Sequence, residues 1–294
     1  SNKKMIVVRL MGGLGNQLFQ YAAGRQVAEF NQTELLLDTT FLTDSPENIT
    51  HREYELKAFN IAATIAENAD LKPFMGHGFS LKERTTLQLL SLGKRKKFKE
   101  DGYGFNPALL ELRGNYYLRG YFQSEKYFKA IAPVLRKELT LKTEFLPVDA
   151  SLCEQIKQCN SVSIHIRRGD YIRNLSSMDA HGLCSKDYYA KAIACMQEML
   201  GGDLHFYLFT DDENWVRNEM NWDINCTLIA NKTTVEDFYW MSHCRHHIIA
   251  NSTFSWWAAW LNEHPDKKVI MPKRWTSNLK SEDIDLRPST WLLK

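Results

Sequence analysis

Residues 161–171 read Ser-Val-Ser-Ile-His-Ile-Arg-Arg-Gly-Asp-Tyr, and their polar members are the types that grip a diphosphate. Arg167 and Arg168 supply two adjacent guanidiniums, each a planar donor fork that fits phosphate oxygens bidentately. Such a pair stabilises negative charge as it grows on a departing phosphate, work that a divalent cation does in other sites. His165 and Asp170 flank the pair, one as a titratable ring, the other as an acid able to orient guanidiniums. A surface arginine pair neutralised by Asp170 would look the same, so support must come from elsewhere in the chain.

Three further clusters bear on it. Thr210-Asp-Asp212 offers Asp211 and Asp212 as acceptors for a base or ribose, one of them expected to cap the next helix. Asn251-Ser-Thr-Phe-Ser255 places Asn251, Ser252, Thr253 and Ser255 at a helix start, where amides and the helix dipole favour phosphate. Capping explains the same residues, and the two roles are compatible. Near the start, Met11-Gly-Gly-Leu-Gly-Asn16 holds Gly12, Gly13, Gly15 and Asn16, which let a main chain approach a ligand and donate to it. Leu18 stands where a dinucleotide fingerprint has its third glycine, and no Gly-Lys-Ser/Thr follows. Neither the NAD nor the P-loop pattern is therefore complete, although Asp38 lies at the distance of a ribose-binding acid.

These residues need elements to carry them. Residues 5–10 form a buried-strand run, 17–30 follow helical spacing, and 35–38 form a second strand. In the second half the rhythm is clean. Strands at 161–166, 204–209, 226–230, 247–250 and 268–271 alternate with helices, the first capped by Ser185 and another opened by a capping box at Thr233-Thr-Val-Glu236. Val162, Ile164 and Ile166 suggest one buried strand face. Alternation of this kind means a parallel sheet with crossover helices, with the polar clusters at its carboxyl edge. Residues 39–147 are less regular. Helices are expected over 56–69, 81–92 and 125–139, the last started or interrupted by Pro133. An aromatic strand and turn spans 116–123, where Tyr121 and Phe122 suit either a sugar face or the core. Residues 140–150 are the expected link.

At 294 residues, 44% hydrophobic and 24% charged, the chain has an ordinary globular composition. A net charge of +2 and a basic run at 93–99 interleaved only with Phe98 give no nucleic-acid signature. No window is long and apolar enough to span a bilayer. The six cysteines all follow residue 150 and form no CxxC pair, which reads as reduced, mostly buried thiols of a cytoplasmic protein. The basic run offers peripheral contact with a membrane carrying lipid-linked glycans. His243, Cys244, His246 and His247 have ligand chemistry but the wrong alternation for one metal, and Asp283-Ile-Asp285 reads as surface. No metal site is expected.

Met11-Gly-Gly-Leu-Gly-Asn-Gln-Leu-Phe-Gln20, His165-Ile-Arg-Arg-Gly-Asp-Tyr171 and Asn251-Ser-Thr-Phe-Ser-Trp-Trp257 resemble the signature segments of the alpha-1,2-fucosyltransferases of glycosyltransferase family 11. Together they span nearly the whole chain. The His-x-Arg-Arg element alone is shared with alpha-1,6- and protein O-fucosyltransferases. The resemblance implies an α/β fold of GT-B type, two facing Rossmann-like domains with parallel sheets. Residues 1–147 would be the acceptor side and 148–294 the GDP-fucose-binding domain. It implies inverting, metal-independent transfer of L-fucose from GDP-fucose to the 2-hydroxyl of a terminal beta-galactoside. Arg167 would then contact the distal phosphate, Arg168 support it, Asp170 orient both, and Asn16 with Gly12, Gly13 and Gly15 lie across the cleft as donor-binding residues, close to both phosphate and acceptor. His165, Asp38 and the diphosphate itself stay open as the proton acceptor. An alpha-1,6-type transferase and a non-catalytic GDP- or sugar-binding protein are the alternatives.

Overall fold

The computed structural model describes residues 4–43, 52–75, 96–168, 184–281 and 283–294. The chain divides into two compact units, Ser1–Thr140 and Leu141–Lys294, so the division falls within residues 140–150.

In the first unit, β1 (Met5–Arg9), β2 (Glu34–Asp38), β3 (Thr64–Ile65), β4 (Lys96–Lys99) and β5 (Tyr116–Arg119) form one sheet in the order β3-β2-β1-β5-β4. Every pairing is parallel. Its central strand is buried because α1 (Leu14–Phe30) lies against it. That approach is close. A Cβ on Gly24 would come within 2.9 Å of Leu35 and 3.1 Å of Val8, so a side chain there would lift the helix off the sheet. Here Gly24, not position 18, takes the helix-to-sheet contact that a fingerprint glycine usually makes. Helix α2 (Asn68–Met75) contributes Leu71 and Phe74, which pack with Met5, Val7, Leu36 and Tyr117.

The irregular stretch departs from expectation. Residues 56–69 split into a 3-10 turn at Glu55–Ala58, strand β3 and the start of α2. Residues 125–139 are 3-10 turns followed by α3 (Ala132–Glu138), because Pro133 suits only a first helical turn. The expected helix at 81–92 lies outside the described residues. Of the basic run, Lys96–Lys99 is an edge strand whose three lysines are exposed; charged side chains there discourage pairing with a second sheet. Tyr21 and Arg25 of α1 both bind Glu138 of α3, the tyrosine hydroxyl at 2.5 Å and the guanidinium at 3.0 Å.

In the second unit, α4 (Ala150–Gln158) leads into β6 (Asn160–Ile166), followed by α5 (Lys186–Leu200), β7 (Leu204–Thr210), α6 (Glu213–Glu219) and β8 (Cys226–Leu228). Then come α7 (Thr234–His243), β9 (His246–Ile248), α8 (Thr253–Leu261), β10 (Val269–Met271) and β11 (Leu292–Leu293). The order β11-β10-β9-β6-β7-β8 is parallel throughout. Read from β8, this is the 3-2-1-4-5-6 order of dinucleotide-binding sheets. The capping box at Thr233 is complete, and the Ser185 hydroxyl accepts from the Tyr188 amide. Strand β11 is absent from the sequence reading, because two residues leave no periodic signal.

One expectation about β6 is corrected. Both its faces are covered, so Ser161, Ser163 and His165 are buried along with Ile164, as a central parallel strand requires. Its polar side chains are therefore paired inside: Ser163 with His247 at 2.8 Å, and His247 with Asn262 at 2.8 Å. Lys267 closes the carboxyl end of α8, donating to the carbonyls of Ala259 and Asn262 at 2.7 and 2.6 Å. Trp256, Trp257, Trp260 and Trp291 gather around that helix. All six cysteines are free thiols, but only Cys244 is fully buried and Cys226 is exposed. This corrects the expectation of mostly buried sulfur.

Candidate functional site

In an open parallel sheet, ligands bind beyond the carboxyl ends of the strands where the strand order reverses. For the second unit that point lies between β6 and β9. Tyr189 of α5 donates to the His165 carbonyl at 2.9 Å and so fixes the end of β6. The His165 ring is buried, with Nδ1 2.8 Å from the Ser255 hydroxyl. Burial, and then the charge of Arg167, push its pKa down to about 3, so it stays neutral near pH 7 and is a poor proton acceptor. Past it, Arg167 donates to the Ser252 hydroxyl at 3.4 Å. Ser252 occupies the N-cap position of α8 without its side chain capping a helix amide. The capping explanation fails there: the hydroxyl serves the arginine, and Thr253 begins the helix beside it.

Arg168 is held differently. Its backbone amide donates to Asp211 at 2.7 Å, its Nε lies 3.6 Å from Asp212, and its guanidinium sits 3.8 Å from the centre of the Trp215 ring. Asp212 also caps α6, accepting from the Trp215 amide at 3.0 Å. Both aspartates are thus engaged in setting the arginine segment. Asn251 is turned inward, donating to the Trp275 carbonyl at 3.1 Å and accepting from Cys184 at 3.5 Å. Burial raises that thiol to about 11, which keeps it a donor. A cavity of about 310 Å³ opens beside Asn251, lined in part by Ser185, Lys273 and Arg274. Asp170 lies outside the described residues.

The first unit has its own reversal, between β1 and β5, and it gathers Gly12, Gly13, Gly15 and Asn16. Gly12 has φ +76, and a Cβ there would stand 2.5 Å from the Asn16 amide nitrogen, so that position needs glycine. Gly13 makes no such demand, and Gly15 is buried in the first turn of α1. Gln17 donates to the carbonyls of Gly12 and Glu53 at 2.9 and 2.8 Å and accepts from the Glu55 amide at 3.0 Å; Gln20 accepts from Met11 at 2.9 Å. Gln123, beyond β5, donates to Asn16 at 3.0 Å. None of these glutamines was singled out from sequence. Gln17 and Gln20 carried a faint signal, two amides one turn apart directly after a glycine loop. Asp38 is fully buried between Tyr117 and Thr40, which removes it as a proton acceptor.

The turn after β5 is set by an acid. Glu100 accepts from the amides of Tyr121 and Phe122 at 2.8 and 2.9 Å, and from Tyr127 at 3.2 Å. Phe122 has φ +52, a left-handed backbone that costs a non-glycine residue about 1–2 kcal/mol. Its fully buried ring, edge-on to Tyr127 at 5.6 Å, offsets that cost. Of the two aromatics, Phe122 is core and Tyr121 is 43% exposed.

Among the described residues, no three His, Cys, Asp or Glu side chains gather where they could hold a metal ion. His246 pairs with Asn160 and the Lys268 amide, and His247 with Ser163 and Asn262. Among the described residues, no helix is long and apolar enough to cross a membrane.

Comparison with known proteins agrees with this layout. The family model described as Glycosyl transferase family 11 matches residues 1–292. An alpha-1,2-colitosyltransferase of Escherichia coli is 32% identical, with 98% of each chain covered. The O-antigen biosynthesis glycosyltransferase WbnK of Escherichia coli is 31% identical over 96% of this chain and 98% of its own. Among solved structures, a mutant of Arabidopsis thaliana FUT1 in complex with GDP superposes with a TM-score of 0.53 at 10% identity, covering 92% of this chain and 70% of that one. That likeness concerns the fold, two parallel-sheet α/β units of the GT-B type.

Proposed function

Because the chain belongs to glycosyl transferase family 11, we propose that it transfers L-fucose from GDP-fucose to the 2-hydroxyl of a terminal beta-galactoside, with inversion and without a metal. One observation carries the reading: Arg167 and Ser252 meet at the strand-order reversal of the second sheet, against the start of α8. A cation and the positive end of a helix there suit a diphosphate. In the reaction, the acceptor oxygen bonds to C1 of fucose as the bond from C1 to the diphosphate oxygen breaks. The electron pair leaves with GDP, and Arg167 takes up the growing charge. Arg168, fixed by Asp211, Asp212 and Trp215, aligns the donor without moving. The acceptor's proton passes to an oxygen of the departing diphosphate, because burial lowers the basicity of His165 and encloses Asp38.

Colitose is fucose without its 3-hydroxyl, so the relative named for colitose makes that donor the second reading. A site that hydrogen-bonds a hydroxyl discriminates sharply against the sugar lacking it. The test is transfer from GDP-fucose and from GDP-colitose, in EDTA, to a panel of free and lipid-linked beta-galactosides, with the product linkage determined. An alpha-1,2 product from GDP-fucose is expected. GDP binding with no acceptor-dependent GDP release from either donor would leave a binding protein instead.

A further inference from the structure

A second group of cations stands at the end of β10 in the second unit, apart from the arginine pair. Strand β10 runs out into Pro272-Lys273-Arg274, and its pairing with β11 continues one step further. The Lys294 amide donates to the Met271 carbonyl at 3.1 Å, and the Lys273 amide to the Lys294 carbonyl at 3.0 Å. Lys273 and Lys294 therefore follow the ends of neighbouring strands. The turn beyond them is closed on itself. Ser281 donates its amide to the Lys273 carbonyl at 2.7 Å and its hydroxyl to the Pro272 carbonyl at 2.5 Å. Trp275, its ring buried, donates its amide to the Leu279 carbonyl at 2.9 Å. Arg274 is thus presented from a fixed turn, where its guanidinium spends one N–H on the Ser277 carbonyl at 3.2 Å.

These three basic side chains line the cavity of about 310 Å³ beside Asn251. Another part of its wall is Ser185, at the start of α5, where the helix dipole adds positive potential. No acidic side chain lines the cavity, although the chain as a whole has 35 acids to 37 bases. Like charges gathered without acids repel one another, and an anion seated among them removes that repulsion. The rest of the lining is neutral and engaged within the fold. The Tyr188 hydroxyl donates to the Ile249 carbonyl at 2.6 Å, and the Cys184 thiol to Asn251 at 3.5 Å. Recognition therefore falls to charge, with Arg274 offering a planar fork and Lys273 a point charge. The volume lies at the small end of the range of about 300–1,000 Å³ for ligand cavities, which suits a phosphate or diphosphate better than a nucleotide. Arg167, Arg168 and Ser252 do not line it, so it is distinct from the place proposed for the donor diphosphate.

We infer that Lys273, Arg274 and Lys294 form a second anion subsite, for a small phosphate or diphosphate group other than the donor's. Two sources carry that chemistry, a free phosphate ligand and the diphosphate of a lipid-linked glycan. The inference does not rest on the transferase reading. Inorganic pyrophosphate is titrated calorimetrically, at constant ionic strength, into the full chain and its variants. In Arg167→Ala, pyrophosphate binding is expected to persist while GDP binding weakens at least tenfold. In the double variant Lys273→Ala with Arg274→Ala, both exposed side chains, pyrophosphate binding is expected to weaken at least tenfold. GDP binding and the melting temperature should stay unchanged there, and Lys273→Arg with Arg274→Lys should keep the pyrophosphate bound. Absence of pyrophosphate binding in Arg167→Ala, or its survival in the double alanine variant, overturns the subsite. Acceptor kinetics then separate the sources. If the double alanine variant raises KM for a diphosphate-linked beta-galactoside but not for methyl beta-D-galactoside, the phosphate arrives on the acceptor. If neither KM moves while pyrophosphate binding is lost, the ligand is a free phosphate. A chain that transfers nothing yet binds pyrophosphate through Lys273 and Arg274 keeps the subsite and overturns the transferase reading alone.

Discussion

At the reversal point of the second sheet the polar side chains are guanidiniums and hydroxyls, set by carboxylates; at that of the first they are neutral amides, with the turn after β5 set by Glu100. The two sheets share a topological logic and differ in charge. One end carries cationic side chains, the other neutral amides. The supporting acids differ in the same sense. Asp211 and Asp212 spend their oxygens on an arginine segment and a helix cap, whereas Glu100 spends its oxygens on a strained turn.

The largest effect that would break this contrast belongs to Arg167. Arg167→Ala should lower kcat by about 10²–10³-fold or more, the loss seen when a preorganised charge-stabilising donor is removed, with the melting temperature little changed. Turnover near wild type would remove the cation from the mechanism. Next is Gly12→Ala. It forces a left-handed alanine costing about 1–2 kcal/mol and pushes Asn16 from Gln123. It should lower kcat/KM for transfer, read from steady-state kinetics with the melting temperature as control.

Acid sharpens the contrast further. His165 and His246 have pKa values pushed down to about 3 and about 4, and His247 well below its ordinary value, all chiefly by burial. Unfolded, such rings titrate near about 6.5, so the unfolded second unit binds more protons below that pH. Its stability is therefore present above about pH 6.5 and is lost as pH falls, each ring contributing up to about 1.4 kcal/mol per pH unit. In the first unit, burial raises Glu55 and Glu100. Their contribution is present at low pH and is lost as pH rises through the folded values. Hydrogen exchange, corrected for intrinsic rates, should show β6 and β9 losing protection between pH 7 and pH 5 before β1 and β5 do. Asp237, raised to about 7 by burial and then by Glu236 and Glu213, opposes the histidines. Asp237→Asn should stabilise the second unit at pH 8 by about 1–2 kcal/mol, measured by urea unfolding.

The smallest predicted change separates two residues that sequence treats alike. Both Ser252 and Asp212 sit at helix N-cap positions, but only Asp212 caps. Asp212→Ala should cost about 1 kcal/mol of stability, and Ser252→Ala almost none, while Ser252→Ala slows transfer. Equal melting losses in the two variants would erase the distinction.

Sequence made the second unit largely legible because its strands and helices alternate cleanly and three of its helices open on residues with capping chemistry: Ser185, Thr233 and Asp212 all accept from helix amides. It also exposed Arg167 and Arg168 as a pair, though not their different anchoring, since Trp215 and Ser252 meet them only across strands. The first unit was harder. Its strands β3 and β4 are short and edge-lying, and Pro133 sits in a stretch of 3-10 turns that imitates one long helix. Gln123 lies 107 residues from Asn16, and no local pattern marks such a pair. Tyr121 and Phe122 could not be told apart until the sign of one φ angle sent them in opposite directions.

The tryptophans that surround α8 belong to a wider asymmetry: all eight in the chain lie beyond residue 140. Intrinsic indole emission therefore reports on the half with the arginine pair and is blind to the half with the amide pair. Trp215, beneath Arg168, is placed to quench or shift when a nucleotide arrives, while the first unit answers only through tyrosine. The chain carries its own optical label for one partner of the comparison, and a donor titration can be followed without adding a dye.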